Sequence, residues 1–176
     1  MTVEIDILSS CPRWDAVLED AAGLCRRAAR AALDEARKGL SDADGRLVEV
    51  SIVLADNAEI ADFNLRFRRR EGATNVLSFP ALPAGDGALE PAARPGPPLL
   101  LGDVVLAYET IADEANDQDK TLADHVAHLV IHGILHLLGY DHLDDSEAQI
   151  MEPLEIRALE ALGVADPYAE AKSFVP

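Results

Sequence analysis

All five histidines of this 176-residue chain fall between residues 125 and 142, in DHVAHLVIHGILHLLGYDH. Imidazole is the commonest protein ligand for a divalent transition metal. His132 and His136 stand four residues apart. On a helix they share one face, about 6 Å apart along the axis, so both rings reach one ion. A straight helix then runs past that ion. Gly139 lets the chain turn, and His142 comes back as a third ligand. Three protein ligands leave one coordination position open, the pattern of a catalytic rather than a structural zinc site. The expectation is one Zn2+ ion per chain, although nickel, copper or cobalt also fit an all-nitrogen set. A lone histidine on an apolar face is usually an ordinary helix residue; here the joint spacing carries the assignment. His125 and His128 lie one to two turns earlier on the same stripe, each turn displacing them by about 5.4 Å. That puts them outside the ligand set, in supporting, substrate-facing or structural roles. Asp141 and Asp144 flank His142 and are candidates to orient a ligand ring through its other nitrogen.

The spacing resembles the three-histidine zinc site of metzincin proteases, but the glutamate that follows the first ligand there is replaced here by Gly133. Peptide hydrolysis needs that carboxylate to shuttle a proton to the leaving amine. Phosphodiester cleavage needs it less. A metal can bind a phosphoryl oxygen or activate water, and a nearby cation can stabilise developing charge. In RNA the 2′-hydroxyl is a further candidate nucleophile. A cation is at hand in Arg66, Phe67, Arg68, Arg69 and Arg70, the densest basic run of an acidic chain. Alone, such a run is a solvated helix end whose arginines complement the dipole. Its place just before T-N-V-L-S-F-P gives it more weight.

The elements that must position these groups follow from periodicity. Val3–Leu8 alternates as a strand, and residues 12–37 carry apolar side chains at helical spacing from Trp14 to Ala32. Pro12 suits a first helical position, and Arg26, Arg27, Arg30, Arg37 and Lys38 form a solvated face. Gly39 and the Asp42–Gly45 cluster end this helix. Leu47–Leu54 is a second strand. Asp56 with Glu59 caps a short helix through Ile60, Phe63 and Phe67. Asn75–Phe79 and Leu99–Ala107 are strands, separated by a Pro- and Gly-rich loop over 81–98. A helix over Tyr108–Asn116 precedes the histidine helix, which Thr121 and Asp124 open in the manner of a capping box. A last helix starts near Asp144–Ser146 and stops at Gly163, and Pro153 inside it predicts a kink or a break. The sum is one α+β domain over 1–176: a small four-stranded sheet with about five helices and the metal cleft on the histidine helix.

The net charge of -17 repels polyanions at long range, so RNA binding requires a local basic surface. Composition by itself fits an acidic enzyme with a small substrate. Cys11 and Cys25 form no paired motif and read as reduced core residues. There is no basic n-region with an apolar run at the start, and no apolar stretch reaches the ~18 residues of a membrane span. A cytoplasmic location is expected.

The segments FNLRFRRREGATNVLSFP at 63–80, LLGDVVLA at 100–107 and HGILHLLGYDH at 132–142 resemble the YbeY family of bacterial rRNA maturation factors. EAQIMEPLE and the LGVADPY of 162–168 extend the similarity in the same order. The resemblance implies a zinc-dependent endoribonuclease acting on single-stranded RNA in small-subunit rRNA maturation and ribosome quality control. It implies His132, His136 and His142 as zinc ligands and Arg68 as the catalytic or phosphate-binding arginine. Ribosomal proteins and a ribosome-assembly GTPase are the implied partners. The implied sheet is mostly parallel with one antiparallel strand. The long 81–98 loop and Pro153 depart from the family pattern. Two rival readings stand beside this one. A metallohydrolase of peptides or small amides needs a carboxylate near the metal, with Asp103 and Asp141 as candidates. A non-enzymatic ribosome-assembly factor would hold its metal structurally.

Overall fold

The computed structural model describes residues 2–38, 46–81, 97–142 and 145–169. Its four strands are β1 (Thr2–Ser9), β2 (Leu47–Ala55), β3 (Val76–Pro80) and β4 (Leu99–Ala107). They pair in the order β1-β2-β4-β3, with β1, β2 and β4 parallel and β3 antiparallel to β4. This is the mostly parallel sheet with one antiparallel strand that the resemblance implies. Alternation along β2 turns Val48, Val50, Ile52 and Leu54 into the main core. The opposite face buries a smaller cluster of Ala55, Ile60, Leu77, Val105 and Ala107.

The helices are α1 (Arg13–Val17), α2 (Ala21–Ala36), α3 (Asn57–Phe63), α4 (Tyr108–Asp117), α5 (Leu122–Leu137) and α6 (Asp145–Glu160). The single helix expected over 12–37 is divided. Leu18 is extended at ψ 119°, and Asp20 restarts the helix by accepting a hydrogen bond from the Gly23 N–H at 2.9 Å. The apolar spacing runs unbroken across this step, but an N-capping aspartate competes well with helix continuation. The short α1 buries Trp14 completely, and its indole N–H donates to the Ala55 carbonyl at 2.9 Å. Pro12 stands at the N-cap of α1 rather than at its first helical position. Arg26 and Arg30 are exposed as expected, yet they donate to the Ile5 and Val3 carbonyls of edge strand β1.

Three further boundaries differ from expectation. The helix through Phe67 ends as α3 at Phe63 and widens into a π-helical turn over Asn64–Arg68. β3 starts at Val76 and includes Pro80, which a short edge strand tolerates. Pro153 does not break α6. Its missing N–H deprives only the carbonyl of exposed Gln149, while Met151, Leu154, Ala158 and Leu159 anchor the helix in the core. Gly39, the 42–45 cluster, most of the 81–98 loop and Asp144 lie outside the described residues.

Helix α5 is central and packs on α2, α6, β3 and β4. Thr121 caps it by accepting from the Asp124 N–H at 3.0 Å. At the other end, Gly139 takes φ 88°, with the Gly139 and Tyr140 N–H groups bonded to the His136 and Leu135 carbonyls. Cys11 and Cys25 are buried, and burial pushes the Cys25 thiol up to about 12.

Candidate active site

The buried length of α5 fixes where its histidines emerge. His132 and His136 leave the helix on one face, half-buried, and the Gly139 turn returns the exposed His142 to the same point. One ligand atom from each ring lies within 4.8 Å of the other two. The Nε2 atoms of His132 and His136 are 3.0 Å apart, near the about 3.3 Å that two imidazoles span across a tetrahedral zinc. The Nδ1–H of His132 donates to Glu155 Oε1 at 2.8 Å, and the Nδ1–H of His136 donates to the Tyr140 carbonyl at 3.0 Å. With both Nδ1 atoms protonated, two Nε2 lone pairs face one another and require a cation between them. Burial first, and the neighbouring His132 next, push the His136 imidazole below its ordinary value. Neutral imidazole is the form a metal takes. The donor set therefore fits a divalent metal ion.

Glu155 and Tyr168 belong to this site, and the spacing of the histidines did not reveal them. Glu155 is 1% exposed on α6. One oxygen holds His132 and lies 3.6 Å from His128 Nε2; the other accepts from the Tyr168 hydroxyl. Burial pushes the carboxyl up, but the nearby His128 and hydrogen bonds from His132 and Tyr168 outweigh it and hold Glu155 at about 2. Burial and Glu155 together push the Tyr168 phenol well above its usual range. A sequence signal existed: Glu155 sits four residues after Met151 on the apolar stripe of α6, where a glutamate needs a partner.

His125 and His128 stand outside the ligand cluster, as expected. His125 Nε2 pairs with Glu114 at 2.8 Å, and His128 neighbours Glu155. Asp141 acts differently from the expectation. Its carboxylate accepts the His142 backbone N–H at 2.8 Å and lies 3.9 Å from His136 Nδ1, whose hydrogen bond goes to Tyr140 instead.

Beside the histidines runs a cleft of about 960 Å³. Edge strand β3 forms one wall through Val76 to Pro80, and His132, His136 and Asp141 form another. Of the basic run, Arg68 and Arg70 line it, whereas Arg66 pairs with Asp62 at 3.0 Å. The Arg68 guanidinium donates to the Ser78 carbonyl at 2.7 Å and lies 5.7 Å over the Phe79 ring. Buried Asn64 donates to the Gly72 carbonyl at 3.0 Å and ties down the loop that carries Arg69 and Arg70. Gly133 faces the sheet. A Cβ there would meet Val104 Cγ1 at 2.7 Å and Ser78 Oγ at 3.2 Å. Val104 and Asp103 are successive on β4, so Asp103 lies on the opposite face and does not line the cleft.

Three convergent imidazoles beside an arginine-lined cleft could hold a metal ion next to a bound anion, and comparison with known proteins places the chain among the nucleases. The family model described as Endoribonuclease YbeY matches residues 19–163, and the chain belongs to that family. It is 51% identical over 170 residues to the Endoribonuclease YbeY of Paramagnetospirillum magneticum, covering 97% of this chain and 98% of that protein. With the Endoribonuclease YbeY of Parvibaculum lavamentivorans it shares 48% identity over 166 residues, 94% of this chain and 85% of the relative. The solution structure of TM1509 from Thermotoga maritima has a TM-score of 0.58 at 25% identity, covering 97% of this chain and 93% of that one. Among the described residues, no helix is long and apolar enough to cross a membrane.

Proposed function

We propose that this chain is a single-domain, zinc-dependent endoribonuclease that cleaves single-stranded RNA in small-subunit rRNA maturation and ribosome quality control. Ribosomal proteins and a ribosome-assembly GTPase are its partners, in the cytoplasm. The supporting observation is the convergence of His132, His136 and His142, the first two of which line the same cleft as Arg68.

His132, His136 and His142 would hold the ion. When bound, it supplies Lewis acidity toward a phosphoryl oxygen and lowers the pKa of water. Glu155 and the Tyr140 carbonyl keep the His132 and His136 rings in the tautomer that offers Nε2. Arg68 spends one donor on Ser78, which fixes the guanidinium; its other N–H groups are left for a phosphate. That cation offsets the charge that accumulates on the phosphoryl oxygens as the bond breaks.

Gly133 argues against the peptidase reading. The position after the first ligand packs on Val104 and Ser78 with no room for a Cβ, so a glutamate there would have to displace the sheet. Asp103 points to the other face of the sheet, which leaves Asp141 as the sole carboxylate of the two that lines the cleft. If the metal were purely structural, His142→Ala would unfold the chain rather than silence it.

The test is cleavage of single-stranded ribosomal RNA with metal quantified on the same sample, for wild type, His136→Ala and Arg68→Ala. The expected result is cleavage by wild type alone, with stoichiometric zinc kept by Arg68→Ala. Equal loss of metal and activity in Arg68→Ala removes its assigned role. Identical cleavage by all three means a contaminating nuclease and removes the enzymatic reading.

A further inference from the structure

Phe67 is 65% exposed, more than any other large apolar side chain among the described residues. Hydrophobic burial works against such a placement, and the backbone enforces it. The π-helical turn over Asn64–Arg68 widens the end of α3, and Arg69 then leaves in the left-handed region at φ 56°. Both are uncommon local conformations, and they cluster at functional sites. The ring is nevertheless held. Its centroid lies 5.3 Å from Phe79, edge-on, and 6.2 Å from Phe63. Phe63 and Phe79 are themselves seated against the smaller core.

The surroundings say what such a ring would meet. Phe79 lines the cleft that holds His132 and His136, and carries the Arg68 guanidinium over its face. Arg68 and Arg70 line the same cleft, in a chain whose net charge is -17. An anionic ligand with flat apolar parts matches an exposed ring packed on Phe79, the same Phe79 that carries the Arg68 guanidinium. An unpaired nucleobase stacks on an exposed aromatic ring, while its phosphates pair with arginine. A base within a duplex has both faces already covered.

We propose that Phe67, backed by Phe79, is the stacking platform for one unpaired base of the RNA, and that this contact makes the enzyme prefer single strands. The proposal rests on the nuclease reading above and adds the subsite that selects the substrate form.

Phe67→Trp in the full, metal-loaded chain gives a direct probe. The natural chain has one tryptophan, Trp14, which is 0% exposed, so the introduced indole reports above a shielded background. Three ligands are titrated: a single-stranded RNA oligonucleotide, the same oligonucleotide carrying abasic sites, and its duplex. Saturable quenching by the first alone is the expected result. Phe67→Ala weakens single-strand binding by about 5- to 150-fold, the range measured for one lost base stack. Phe67→Leu, which keeps apolar bulk without a π face, loses a similar factor. Duplex binding is unchanged in both, and so is metal content. Binding and cleavage without quenching overturns the stacking platform and leaves the nuclease reading standing. Wild-type binding by Phe67→Leu also overturns it and points to an apolar protein contact. Absence of any RNA binding by wild type removes both readings.

Discussion

Glu155 Oε1 lies 2.8 Å from His132 Nδ1, so α6 sets the tautomer of a ring carried by α5. The Tyr168 hydroxyl, from beyond the end of α6, holds the other oxygen of the same carboxylate. His132 thereby turns its Nε2 lone pair toward that of His136, 3.0 Å away. A buried anion hydrogen-bonded to a ligand ring raises the basicity of the ring and fixes its direction.

Glu155→Gln keeps an acceptor of the same shape and removes the charge. Metal affinity is expected to fall by about 10- to 100-fold, with helical content unchanged. Competition against a chelator of known affinity measures it. Wild-type affinity in this variant would show that the carboxylate only fills space.

The metal motif was legible in the sequence because its geometry is local: two histidines one turn apart, then a glycine turn. β1 and β2 were legible for the same reason, through alternation, and β3 and β4 as short apolar runs. Glu155 and Tyr168 were not found, since their role depends on α6 packing against α5, and Glu155 is 23 residues from the ring it holds. The division of the 12–37 helix was hidden because apolar spacing continues through Leu18 and Ala21, while Asp20 acts through its cap. The reason for Gly133 was equally invisible: it lies in the contact with Val104, a residue of another element.

That contact makes Gly133→Glu a sharp test of the missing base. The new side chain must displace Val104 or lift α5 off the sheet, and it buries a carboxylate. Destabilisation of about 3 kcal/mol or more is expected, read as a lower denaturation midpoint. No peptidase activity is gained. A stable variant that cleaves peptides would show that position 133 faces the metal after all.

His125 gives stability a pH dependence that does not involve the metal ligands. Burial pushes its imidazole below the ordinary value, and the bond to Glu114 opposes this only in part. Its Nδ1 is buried without a hydrogen-bond partner among the described residues, so protonation would add a donor with nothing to accept it. Between the lowered folded value and the ordinary 6.5, the unfolded chain binds more protons than the folded one. Stability from this residue is complete above 6.5 and is lost as pH falls below it. Denaturation midpoints of wild type and His125→Asn, taken across that window, are expected to show a steeper acid loss in wild type. Parallel curves would mean that His125 titrates alike in both states.

Arg68 and Arg70 are expected to carry the electrostatics of RNA binding against the repulsion of the whole chain. Each phosphate neutralised on a single strand contributes about -0.7 to the slope of log affinity against log salt. Replacing both with alanine should therefore flatten the slope by about 1.4. Screening of the -17 background acts in the opposite direction, but equally in both proteins, so the difference isolates the two arginines. Arg30 supplies the control: it donates to Val3 on β1, at the far edge of the sheet from β3. Arg30→Ala should leave the slope unaltered. Flattening by Arg30→Ala of half the double variant's amount, one charge against two, would mean that RNA responds to total charge rather than to the cleft.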